Sequence, residues 1–234
     1  MSRIQIKSCL AILAVSLTTF TAVGYTQSAD LQKVLSQMDA ASQKFQSAQA
    51  DFIADLFTAV VQSHETQEGT TAFRRANGGI EMVTHVKTDN GQPAAKDILY
   101  AHSELTYYQP AIKQANVFSA GANREQFESF LTLGFGGSGK DLAASWNIAY
   151  QGTEAIAGVQ TAKLELTSKK PGSNNPYTRI VVWIDPARAV PLRQQFVQES
   201  GDTRTVNYSN IQMNNVPASA FTLKIPHDVQ TIRK

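Results

Sequence analysis

Two hydrophobic periods divide the chain. Leu31, Val34, Leu35, Met38 and Phe45 recur at spacings of three, four and seven, with Lys, Gln and Ser opposite. That stripe predicts an amphipathic helix from Asp30 that buries one face. The period then falls to two. Ala50, Phe52, Ala54 and Leu56 alternate with Asp51, Ile53, Asp55 and Phe57, and Ile80, Met82 and Val86 with Glu81, His85 and Lys87. Ala162, Leu164 and Leu166 repeat the pattern, as do Ile180, Val182 and Ile184. Such alternation marks strands with one buried and one wet face. Shorter candidates at 70–75, 97–101, 105–109, 146–151, 191–199, 203–210 and 221–225 bring the total to about eleven. Asn77-Gly78-Gly79, Asp89-Asn90-Gly91 and Ser200-Gly201-Asp202 supply tight turns between them, which favour antiparallel hairpins.

One segment interrupts the strands. Residues 123–133 read as a short helix with Phe127, Phe130 and Leu131 on one side. The cluster Gly134, Gly136, Gly137 and Gly139 gives the following joint backbone freedom, and a second short helix runs from Ser138 or Lys140 to Ser145. A sheet of about eleven strands twists and rarely stays flat and open. The predicted class is therefore α+β, mostly β: a large curved antiparallel sheet, an incomplete barrel. An N-terminal helix and short lid helices cover its apolar concave face. The interior is either packed solid or retains a hydrophobic cavity.

Arg3 and Lys7, the apolar run Cys9–Val23 and the small residues of Ala22-Val23-Gly24 have the order of a secretory signal peptide over 1–24. The run is shorter than the roughly 20 residues of a spanning helix. A single domain is expected over 25–234, exported to the periplasm. Cleavage removes Cys9, the only cysteine, and with it thiol, disulfide and cysteine–metal chemistry. The net charge of +2, without a basic block, excludes nucleic acid as a partner.

Catalysis fits poorly. His64, His85, His102 and His227 are scattered singly, so no metal is expected. Asp51 and Asp55 share a strand face roughly 13 Å apart, beyond the roughly 5–9.5 Å of a glycosidase pair. Gly134 to Lys140 is followed by Asp141 and lacks the form of a phosphate loop. No enzyme activity and no cofactor are predicted.

Several segments, in order, resemble the periplasmic lipoprotein carrier family (LolA-type). Phe45-Gln46-Ser47-Ala48-Gln49-Ala50-Asp51-Phe52 is similar to its opening strand. Gly69 to Asn77 is similar to its G-x-L-x-x-x-R-P-N strand, Leu105 to Pro110 to its L-W-x-Y-x-P strand, and Phe221 to Val229 to its closing element. Ala76, Thr106 and Asp228 depart from the family residues. The resemblance implies that Arg75, with Arg74 as the neighbouring alternative, holds a lid over 123–145 shut. It further implies that Phe52, Phe73, Met82, Tyr107, Phe127, Phe130 and Leu131 touch acyl chains. The implied function is a monomeric carrier that shields the acyl chains of lipoproteins or lipids. Its implied partners are an inner-membrane lipoprotein-releasing ABC transporter and an outer-membrane acceptor. The alternative is a periplasmic lipid or lipoprotein sensor that regulates an envelope-stress signalling partner.

Overall fold

Burial follows the two periods. The computed structural model describes residues 23–76, 79–121, 124, 128, 131, 133–169 and 176–234. Helix α1 (Val23–Lys44) buries Val34, Leu35 and Met38, with Leu31 partly covered. Phe45 is buried just beyond its end. The helix starts seven residues before Asp30, so the expected cleavage after Gly24 falls in its first turn; residues 1–22 lie outside the described residues.

The strands form two meanders. The first comprises β1 (Ser47–Thr58), β2 (Ser63–Ala76), β3 (Gly79–Asp89), β4 (Gln92–Ala101), β5 (Glu104–Gln109) and β6 (Gln114–Ser119). The second comprises β7 (Trp146–Ile156), β8 (Val159–Ser168), β9 (Tyr177–Asp185), β10 (Val190–Gln198) and β11 (Thr203–Met213). β11 returns beside β1, with Phe52 opposite Tyr208 and Ala54 opposite Val206. Together with β12 (Gln230–Arg233) this makes one 12-stranded sheet, ordered β12-β6-β5-β4-β3-β2-β1-β11-β10-β9-β8-β7. β6 and β7 therefore lie near opposite edges. The chain between them must span the whole sheet; its described residues Leu131, Leu133 and Phe135 pack on the concave face, and helix α2 (Gly139–Ser145) follows.

Register shifts at Gln49/Asp51, Glu68/Gly69 and Tyr150/Thr153 add local twist. With the intrinsic strand twist they curl the sheet without closing it. At one shift a Cβ on Gly69 would stand 2.9 Å from the Phe52 ring and 2.0 Å from the His85 carbonyl oxygen, so only glycine lets Phe52 lie across β2.

Two apolar clusters fill the concave side. Val34, Leu35 and Met38 of α1 and Leu142 of α2 pack on Leu164, Leu166, Ile180, Val182 and Ile184. Phe45, Ala50, Phe73, Met82 and Tyr100 gather around Phe135. Among the described residues no helix is long and apolar enough to cross a membrane.

The sequence reading needs correction at the end of the chain. Residues 221–225 form no strand. Phe221 ends a 3-10 turn, Ala218–Phe221, and is buried against Ala72 and Val83 with the Arg74 guanidinium 4.6 Å from its ring centre. The last strand is instead β12, which pairs with β6 in parallel, whereas the other strand pairs among the described residues are antiparallel. β6 itself escaped prediction.

Candidate functional site

The inward phase of β1 to β5 carries Phe52, Phe73, Met82, Ile98 and Leu105 into a cavity of about 250 Å³. Tyr177, Phe196 and Val206 continue its wall onto β9, β10 and β11, and Leu131 of the crossing segment closes it from above. Of the residues expected to touch acyl chains, Phe52, Phe73, Met82 and Leu131 thus share one cavity wall. Tyr107 lies half-buried on β5 opposite Ile98 and is not part of that wall. Phe127 and Phe130 lie outside the described residues.

The crossing segment is held down by a buried hydrogen bond from Gln194 to the Leu133 carbonyl and at three further points. Arg75, exposed at the end of β2, donates to the Gly136 carbonyl at 3.3 Å and to the Ser42 carbonyl and hydroxyl at 3.3 and 3.4 Å. It therefore links the end of α1 to the glycine turn. Tyr100, fully buried on β4, donates to Glu128 Oε1 at 3.0 Å, and Arg124 Nε meets the same oxygen at 2.7 Å. Burial, reinforced by the Glu128 carboxylate, pushes the Tyr100 phenol up to about 12, so it stays a donor.

The third point is Phe135. It is 1% exposed, stacks on Phe73 at 4.7 Å between ring centres and meets Tyr208 edge-on at 5.1 Å. Gly136 beside it has φ +79°, and a Cβ there would sit 2.3 Å from the Phe45 ring. The glycines anticipated as a flexible joint thus permit close packing of a turn. A larger cleft of about 630 Å³ lies beside this turn, between Met38, Arg75, Ile80 and Leu142.

Sequence reasoning missed Phe135, Tyr100 and the polar part of the cavity wall. Tyr208 donates to Gln194 Oε1 at 2.7 Å, and Gln194 Nε2 donates to the Leu133 carbonyl at 2.5 Å. Burial raises the Tyr208 phenol far above its ordinary range, keeping it neutral. A signal was present: Arg204, Val206 and Tyr208 share one strand phase, so the inward face of β11 carries a charge and a hydroxyl. Among the described residues no three His, Cys, Asp or Glu side chains converge on a possible metal position.

A curled, unclosed sheet with a helix-bearing segment on its concave face also characterises solved structures similar to this chain. Residues 96–231 match the model of a family described as "Uncharacterized protein", and the chain belongs to that family. A conserved protein from Thermus thermophilus is 13% identical, with 89% of this chain and 100% of that one covered at a TM-score of 0.56. MucB is 15% identical, with 87% and 66% covered and a TM-score of 0.50. A LolA superfamily protein from Nitrosomonas europaea is 14% identical, with 82% and 97% covered and a TM-score of 0.41. These likenesses are likenesses of fold. No curated protein matches the chain.

Proposed function

We propose that this protein is a periplasmic carrier that takes acyl chains of lipoproteins or lipids into the concave cavity and passes them to an outer-membrane acceptor. The observation that supports the reading is the apolar cavity of about 250 Å³ beneath a segment that crosses the sheet from edge to edge. At roughly 30 Å³ per water-sized group, it has room for about eight such groups. A 16-carbon chain needs more, so loading requires the crossing segment to rise. Residues 1–24 act as the export signal, residues 25–234 form the carrier domain, and Arg75 helps hold the cover closed.

Affinity follows from two opposing terms. The fifteen hydrocarbon carbons of a palmitoyl chain contribute about 12 kcal/mol at about 0.8 kcal/mol each, equivalent to nanomolar binding. Lifting the cover subtracts its cost from that figure. A cost of about 4 kcal/mol leaves micromolar affinity, weak enough for hand-over. Native mass spectrometry of the protein purified from its own periplasm tests the reading. Bound acyl species of lipid or lipoprotein mass are expected. Protein that carries none, and that takes up no hydrophobic probe after delipidation, overturns it.

A further inference from the structure

We infer that the cargo of this cavity has an anionic head, a carboxylate or phosphate ending an acyl chain, and that Arg204 receives it. The inference rests on the carrier reading and narrows its cargo. Arg204 stands on β11 between Phe196 of β10 and Leu56 of β1 and forms part of the cavity wall. Other polar side chains there satisfy one another: the Thr71 and Thr84 hydroxyls lie 2.8 Å apart, and Tyr208 and Gln194 are bonded as described. The Arg204 guanidinium makes no hydrogen bond or ion pair with any described residue. Glu65, the carboxylate in its row on β2, is exposed and two inter-strand steps away across Leu56, roughly 10 Å.

A guanidinium is always charged, and burying part of it against apolar side chains is costly until an anion meets it. Its planar fork matches the two oxygens of a carboxylate or phosphate. From Arg204 the wall continues past Phe52, Phe73, Met82 and Ile98 to Leu105. That path covers five inter-strand steps from β11 to β5, roughly 24 Å across the strands, and also shifts along them from the level of Leu56 to that of Ala48, roughly 26 Å. The charge therefore stands at one end of a long apolar floor, the layout of a single-chain amphiphile. The acylated end of a lipoprotein, built of neutral esters and an amide, offers Arg204 no counter-charge.

The test is displacement of a fluorescent naphthylamine from the delipidated protein by palmitate, 1-palmitoyl lysophosphatidic acid and hexadecanol. At least one anionic ligand is expected to bind about tenfold or more tighter than hexadecanol, as a charge-assisted bidentate contact requires. The better of the two identifies the head as carboxylate or phosphate. Arg204→Gln should bring both anions down to the hexadecanol level and leave hexadecanol unchanged, while Arg204→Lys keeps part of the preference. Equal binding of all three by the unaltered protein overturns the inference and leaves the carrier reading standing. An equal loss for all three in Arg204→Gln also overturns it. Binding of none overturns both.

Discussion

Phe135→Ala should make the protein bind acyl ligands more tightly, and by more than any loss of Arg75. Phe135 is 1% exposed in the closed state, and raising the crossing segment takes its ring off Phe73 and Tyr208. Burial of such a ring is worth about 1.5–3 kcal/mol, and each ring pair about 0.5–1.5 kcal/mol more. About 4 kcal/mol of the opening cost thus resides in one side chain. Of the three hydrogen bonds that Arg75 makes from an exposed position, only the one to Gly136, at 3.3 Å, reaches the crossing segment, and it contributes at most about 1 kcal/mol. Alanine at 135 should therefore raise acyl affinity by about two orders of magnitude or more, whereas Arg75→Leu should change it by at most about fivefold. Fluorescence titration with a palmitate analogue gives the affinities, and amide exchange at 133–142 reports the loosened cover. The reasoning is refuted if Phe135→Ala binds no tighter than the unaltered protein, or if Arg75→Leu has the larger effect.

Two further outcomes follow from other parts of the structure. A Cβ at Gly139 would stand 2.3 Å from the Leu35 carbonyl oxygen, so Gly139→Val should separate α1 from α2 and cost about 1–3 kcal/mol, read as a lower Tm. Burial opposes the charge on Asp185, but hydrogen bonds from Arg188 and the Ala187 amide outweigh it and hold the carboxyl below its ordinary 3.8. Its stabilising effect is therefore fully present above pH 3.8 and is lost as pH falls through the lowered value. Denaturant midpoints measured between pH 6 and pH 2 should show a smaller acid loss for Asp185→Asn than for the unaltered protein; an identical loss would count against this assignment.

Most strands were legible because alternation is a local property. Ile180, Val182 and Ile184 are buried as their phase requires, but the expected wet face of that strand is not found: Val181, Trp183 and Asp185 are buried too, Val181 and Trp183 in a second cluster with Ile156 and Leu192. The exceptions have physical causes. Phe221, Leu223 and Ile225 alternate like a strand, yet Pro217 and Pro226 flank them, and only Phe221 is buried, in a 3-10 turn. β12 is four residues with one aliphatic side chain, Ile232, and its partner β6 lies more than a hundred residues earlier, beyond any local pattern. At the site, Phe52, Phe73 and Met82 could be read from their phase. Phe135 could not, because a lone aromatic in a glycine turn has no period. Arg204 could be noticed as a charge in an apolar phase. That it has no partner depends on what β1, β2 and β10 bring alongside, which only the register determines.

The sheet begins at β12 and ends at β7 without those two meeting. A closed barrel has its radius fixed by strand number and shear, and widening it means breaking a column of ladder bonds. An open cuff has no such seam. It can flatten or tighten through small changes of twist shared among its neighbouring pairs, with every rung kept. The width of the concave space can thereby change by bending and not by rupture.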